Sequence, residues 1–301
     1  MRLFVRHRTA YRYPRPAALG PHLIRLRPTG QCKAKIETYA LRVGQPSELR
    51  WQQDPNGNRV ARATFAKGLR FEALDLTVEM AVEIRPVNPF DFFLDESAET
   101  SPFRYAPESL RELQPYLESA AERDSGSTGL RAFLEELPRD GPTVPLLVEL
   151  NRRVSQRVRY IVRDDMGILT PEETLTAGRG SCRDSTALLI ALLRARGFAA
   201  RFVSGYLVQL TNEAMVPDQP RDVGRDKVDL HAWTEVFLPG AGWIGFDSTS
   251  GLLCGEGHIP LAATANAARA APVEGTSSEA ATQVSFETAI ERLGATQEGA
   301  G

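Results

Sequence analysis

Cys182 follows the glycine turn Gly178-Arg179-Gly180-Ser181 and opens a run, Ala187-Leu188-Leu189-Ile190-Ala191-Leu192-Leu193, that is apolar all round. Such a run predicts a central, buried helix. Helix N-termini favour the thiolate, which is the nucleophilic form of a cysteine side chain, so this placement points to a nucleophile. A base and an orienter follow in order: His231 is 49 residues on and Asp247 a further 16. In that arrangement Cys182 attacks an amide carbonyl. His231 takes the thiol proton and later protonates the leaving amine, while Asp247 fixes the tautomer and orientation of the imidazole. The backbone N–H of Cys182 and one unidentified donor would form the oxyanion hole.

These three side chains can meet only if the elements around them cooperate. Strands are predicted over 200–209, 230–238 and 243–247, with a polar Asp- and Arg-rich loop near 211–228 between the first two. A hairpin turning at Pro239 to Gly242 sets His231 opposite a position near residue 250, so Asp247 falls within one to three places of it. The Cys182 helix is expected to close at Gly197. Ahead of it, Thr170 caps a short helix that starts with Pro171-Glu172-Glu173. Helical patterns precede this at Leu110 to Leu117, Leu130 to Leu134 and Leu146 to Val158, followed by an extended piece at 160–163.

The first 85 residues read as β structure. Leu3, Val5, His7, Thr9, Tyr11 and Tyr13 share one face of a long strand, and Leu74 to Ile84 alternate most clearly of all. Asp54-Pro55-Asn56-Gly57-Asn58 marks a hairpin. Pro86 to Leu94 is an aromatic connector whose phenylalanines are expected to anchor it on a domain. The chain thus divides into a β-rich N-terminal domain (1–95), a catalytic core with a helical lead-in (96–260) and a tail (261–301). Residues 261–282, rich in Ala, Thr, Ser and Glu, read as a flexible linker. A last strand is predicted at 283–291, then a disordered end. The fold class is α+β, an antiparallel sandwich-like domain followed by a helix packed on an antiparallel sheet.

Several features have plainer readings. Trp233 and Trp243 suit a core or a cleft wall. Asp184 and Ser185 suit capping of the helix. Arg183 either positions a substrate carboxylate or pairs with Asp184. His7, His22, His258 and Cys254 lack metal-ligand spacing, so neither a metal site nor a cofactor is expected. Residues 1–36 hold nine Lys or Arg and no acid, but the arginines alternate with apolar residues as on solvated strand faces, and with a net charge of -2 no nucleic-acid partner is expected. No window reaches the roughly 20 apolar residues of a membrane span. The N-terminus lacks a signal-peptide core, and three scattered cysteines argue for a reducing cytoplasm.

Gly180-Ser181-Cys182-Arg183-Asp184-Ser185, Phe202-Val203-Ser204-Gly205-Tyr206-Leu207, His231-Ala232-Trp233 and Gly242-Trp243-Ile244-Gly245-Phe246-Asp247 resemble the bacterial transglutaminase-like superfamily. Tyr11-Arg12-Tyr13 through Leu26-Arg27-Pro28 resembles the β-rich domain that precedes such cores. The resemblance implies a papain-like core with a triad at Cys182, His231 and Asp247, and Arg183 and Trp233 at the substrate. Asp247-Ser248-Thr249 departs from the usual Asp-Pro-Thr but keeps the carboxylate. It further implies a protein or peptide substrate and either an ATP-grasp-like ligase partner or a fused C-terminal region. Hydrolysis, deamidation and transamidation all fit a thioester mechanism. A non-catalytic protein- or peptide-binding module reusing the fold is the alternative.

Overall fold

Alternation of apolar and polar residues builds the N-terminal part of the chain. The computed structural model describes residues 1–118, 128–163, 167–211 and 226–294. Six strands come first: β1 (Arg2–Ala17), β2 (Leu19–Ile24), β3 (Lys35–Val43), β4 (Glu48–Gln53), β5 (Arg59–Thr64) and β6 (Phe71–Glu83). They fall into two antiparallel sheets, whose inward side chains, Leu3, Val5, Ile24, Ala61, Leu76 and Val78 among them, make one core. The β4–β5 hairpin turns where the Asx and glycine residues place it. Asp54 Oδ1 accepts from the Asn56 and Asn58 N–H groups, each at 2.9 Å.

The basic residues of this region are answered by acids from neighbouring strands. Arg6 lies directly across from Glu79 and bonds it at 3.0 Å, and Arg8 and Arg12 share Asp75. Arg2 binds Glu37, Arg15 Glu279 and Arg25 Glu274. The positive stretch is therefore compensated within the sheets.

The middle of the chain is helical: α1 (Pro107–Leu117), α2 (Thr128–Glu136), α3 (Thr143–Arg157), α4 (Pro171–Ala177) and α5 (Cys182–Ala195). Two short strand pairs punctuate it, β7 (Thr100–Ser101) with β8 (Gly141–Pro142), and β9 (Arg159–Tyr160) with β10 (Arg179–Gly180). Of the connector phenylalanines only Phe92 packs on the helical core, together with Leu94; Phe90 and Phe93 face outward.

Helix α5 lies on a five-stranded antiparallel sheet ordered β14-β13-β12-β11-β15. Its strands are β11 (Ala200–Gln209), β12 (Lys227–Leu238), β13 (Gly242–Asp247), β14 (Leu252–Leu253) and β15 (His258–Thr264). Leu188, Leu189, Leu192 and Leu193 of α5 bury against Phe202, Ala232, Val236 and Phe246 of the sheet. The predicted loop at 211–228 lies mostly outside the described residues, as does the predicted disordered end beyond 294.

The chain after residue 260 departs from the expected linker. Residues 258–264 form β15, the outer neighbour of β11, with Ile259, Leu261 and Ala262 fully buried. Ser204 bonds the Ala270 carbonyl at 2.6 Å, and Arg194 bonds that of Ala265 at 2.7 Å. Next, β16 (Val273–Ser277) pairs with β2, and β17 (Gln283–Leu293) runs antiparallel to β1 along its length. Alanine-rich composition signalled flexibility, yet a strand buried on both faces reads as a continuous apolar run without alternation, as Ile259 to Ala263 do here. Both ends of the chain therefore share one sandwich.

Candidate active site

The turn before Cys182 is fixed from two sides. Residues 159–161 run parallel to it, with the Arg159 N–H on the Gly178 carbonyl at 3.0 Å and the Ile161 N–H on the Gly180 carbonyl at 2.9 Å. At the start of α5, Ser181 and Asp184 form a reciprocal capping box. Asp184 is fully buried and also accepts from the Leu169 N–H at 2.8 Å and from the Arg163 guanidinium at 2.7 Å. Burial opposes the charge of Asp184, but the bonds from Arg163, Leu169 and Ser181 outweigh it and lower its pKa. A Cβ on Gly180 would stand 2.9 Å from that of Asp184, so glycine lets the turn close over the cap.

Asp184 is thus more than a dipole complement, and its partner is Arg163 rather than Arg183. Arg183 is half-buried and donates to the Arg163 carbonyl at 3.3 Å.

His231 and Asp247 come together through hairpin register. Strands β12 and β13 pair Thr234 with Phe246 and Leu238 with Gly242, so Asp247 sits diagonally across from His231, as the turn arithmetic predicts. His231 Nε2 is 3.1 Å from Asp247 Oδ1. The oxygen lies off the ring N–H direction, so the contact is an ion pair more than an aligned hydrogen bond. Burial disfavours charge on His231, yet its bonds and charge attraction to Asp247 and Cys182 prevail and raise its pKa from 6.5 to about 10. Nε2 faces the carboxylate, which leaves Nδ1 for the thiol. The shift favours the imidazolium form of the ring beside Cys182.

Asp247 is itself held. Its Oδ1 accepts from the Thr249 N–H at 2.9 Å and its Oδ2 from the Ser250 hydroxyl at 3.0 Å. Asn151, fully buried on α3, bonds the backbone carbonyls of Asp247 and Leu252 at 3.2 and 3.0 Å. Desolvation raises the Asp247 carboxyl, but His231 and His258 outweigh it and hold it well below the usual carboxylate range.

Trp233 is the floor of this arrangement. Its indole lies across the sheet, and a Cβ on Gly205 of β11 would collide with it and with the Ile259 carbonyl. The His231 ring stacks near it, centroids 6.4 Å apart and 27° between planes, and the His258 ring meets it edge-on at 5.1 Å. Trp233 is 1% exposed, so it shapes the site from beneath. Beside it opens a cleft of about 500 Å³, lined by Lys33, Phe92, Glu235, Trp243 and His258 among others.

Three contributors carried no local signal. Tyr160 is half-exposed and paired beside Gly180, within electrostatic reach of Cys182, Asp229 and Asp247; burial and these charges raise its pKa. Asn151 and His258 reach Asp247 from α3 and β15. A polar residue on an apolar helix stripe was the sole hint of Asn151. Nothing in linear spacing marked His258, whose Nε2 lies 3.6 Å from Asp247 Oδ2.

Two known families match parts of the chain. Residues 3–83 match the bacterial transglutaminase-like N-terminal region, and residues 134–248 match the transglutaminase-like superfamily. Uncharacterised proteins of Mycobacterium tuberculosis and Mycobacterium bovis are 27% identical over 288 residues, 90% of this chain and 86% of theirs. The solved structure of a "Putative Cysteine Protease" from Cytophaga hutchinsonii shares the fold, with a TM-score of 0.70 over 98% of this chain and 92% of that one, at 19% identity.

Proposed function

The chain belongs to the transglutaminase-like superfamily, with the bacterial N-terminal region ahead of its core, and we propose that it is a cysteine-dependent enzyme acting on amide bonds through a thioester. The reading is carried by the buried His231, which stands 3.1 Å from Asp247 and interacts electrostatically with Cys182. Cys182 Sγ adds to the amide carbon. The oxyanion forms against the Cys182 backbone N–H, one of the donors that the first turn of a helix leaves unpaired. His231 gives its proton to the departing amine as the C–N bond breaks, leaving a thioester and a neutral imidazole. Water or a second amine then attacks the thioester, His231 removes its proton, and the thiol leaves. Water gives hydrolysis or deamidation; an amine gives transamidation. We favour hydrolysis of a protein or peptide substrate.

As part of this proposal the setting is a reducing, cytoplasmic one, which suits three free cysteines. Among the described residues no helix is long and apolar enough to cross a membrane.

The test is incubation of the protein and of Cys182→Ala with peptide and glutamine-donor libraries, read by mass spectrometry. Backbone cleavage supports hydrolysis, ammonia loss with added water deamidation, and ammonia loss with an added amine transamidation. Each product must vanish with Cys182→Ala. Turnover that survives the substitution, or no turnover across the libraries, refutes the enzyme.

A further inference from the structure

His258 lies ten residues beyond the matched core, on β15, and its ring is turned toward Asp247. Both of its nitrogens are buried without a hydrogen-bond partner, and Nε2 of His231 is buried without an aligned one. The two Nε2 atoms thus flank one carboxylate, at 3.1 and 3.6 Å, without an aligned hydrogen bond, and His258 Nδ1 is buried without a partner. Buried polar groups left in that state are costly, and a cluster of them calls for a common partner.

The donor atoms of His231, Asp247 and His258 all lie within 4.8 Å of one another. The carboxylate is 3.1 Å from one Nε2 and 3.6 Å from the other. Ligands bound to one tetrahedral ion at about 2.0–2.2 Å stand roughly 3.3–3.6 Å apart, so small side-chain rotations close the set around an ion. Two imidazoles with one carboxylate suit a borderline metal of the zinc class and not calcium or magnesium, which take oxygen ligands. The two rings are braced against Trp233, and Asp247 by Thr249 and Ser250, so the ligands are already oriented.

We propose that His231, Asp247 and His258 form a site for a divalent transition metal of the zinc class, and that its occupancy silences the cysteine. Binding through Nε2 leaves His231 with a proton on Nδ1 and no free lone pair. The ring then accepts no further proton, and the metal takes Asp247 away from its orienting role. The fourth position on the ion falls to solvent. The silencing rests on the catalytic reading given above; the binding does not.

The experiment uses the full chain freed of metal with a chelator. Zn2+ is titrated calorimetrically into the wild type, His258→Gln and Cys182→Ala, and Co2+ serves as a visible-absorption probe. The proposal expects one equivalent of Zn2+ at micromolar affinity or better, and a four-coordinate cobalt spectrum without a thiolate charge-transfer band. Cys182→Ala binds as the wild type does. His258→Gln, with its fold checked by circular dichroism, loses at least ~100-fold in affinity, beyond what an outer-shell partner brings. Iodoacetamide labelling of Cys182 slows in step with zinc occupancy, and the chelator restores it.

Equal zinc affinity in the wild type and His258→Gln, or no saturable zinc or cobalt binding to the wild type, overturns the site. Full labelling of zinc-saturated protein overturns the silencing. A protein that binds zinc through His258 but whose Cys182 is sluggish without metal keeps the site and removes the catalytic reading. Fast labelling with no zinc binding does the reverse.

Discussion

Substituting Asp247→Asn keeps the size of the side chain and removes the charge that faces His231. The buried ring favours its charged form, its pKa raised from 6.5 to about 10. Burial acts against it, so the whole of that preference comes from Asp247 and Cys182, with the Asp247 bond ahead of the Cys182 bond. With asparagine in place the larger support is gone and burial remains. The His231 inflection should then fall from about 10 to below ~8. The chain has four histidines, so side-chain carbon-13 NMR over pH 4 to 11 resolves each, and single His→Gln variants assign them. His7 serves as an internal reference, because burial pushes it down to about 4. Stability follows with a definite sign. The raised His231 contributes stability that is complete below pH 6.5 and is lost as pH rises through about 10. The lowered Asp247 contributes above its ordinary 3.8 and loses it only at strongly acid pH. Urea unfolding should therefore show Asp247→Asn weaker by about 3–5 kcal/mol near pH 7, the cost of breaking a buried pair, with the gap narrowing toward pH 10. A wild-type His231 that titrates near 6.5, or an inflection unmoved by the substitution, refutes the idea that this carboxylate steers the ring.

The other expectations concern the nucleophile, its turn and its floor. Burial raises the thiols of Cys32 and Cys254, so at pH 7 iodoacetamide should label Cys182 first and His231→Ala should erase the preference; peptide mapping that finds Cys254 labelled as fast counts against a presented sulfur. Asp184→Asn removes the charge that the Arg163 guanidinium, itself only 14% exposed, bonds at 2.7 Å, and should cost about 1.5–3 kcal/mol in urea unfolding at pH 7. Because the Asp184 pKa is lowered, that stabilisation is present above 3.8 and fades as pH falls, so the difference between wild type and variant must shrink in acid. Gly205→Ala drives a methyl into Trp233 and the Ile259 carbonyl, with an expected loss of about 1–3 kcal/mol. It should also shift tryptophan emission and slow Cys182 labelling; unchanged emission together with wild-type labelling would show that Trp233 does not set the position of His231.

Which parts of this molecule are readable in its sequence follows from the range of the interactions involved. Alternation in β1 and β6 is a property of adjacent residues, and it placed Leu3, Val5, Leu76 and Val78 in the core directly. The His231–Asp247 contact is longer in range but runs through a single hairpin, so counting from its turn was enough. Beyond one hairpin the sequence loses its grip. Arg163 was unassigned and Asp184 looked like a simple cap, because their pairing depends on a loop folding back against α5. His258 had no metal-ligand spacing along the chain, yet β15 carries it to the far side of the same carboxylate. Residues 261–282 mislead for a different reason. A strand buried on both faces shows no alternation, and one made of Ala262, Ala263 and Thr264 shows little hydrophobicity either. Its order comes from partners distant in sequence: β11 beside it, Arg194 on the Ala265 carbonyl and Arg25 on Glu274. That stretch continues the β15 strand that carries His258 and then leads through β16 to β17 in the N-terminal sheets. The segment that composition marks as flexible is therefore the one that fastens the five-stranded sheet to the sandwich. Deleting residues 265–294 should expose the β1 and β2 edges and the Ser204 side of β11, so the truncated chain should unfold at lower urea and aggregate, not behave as a trimmed enzyme.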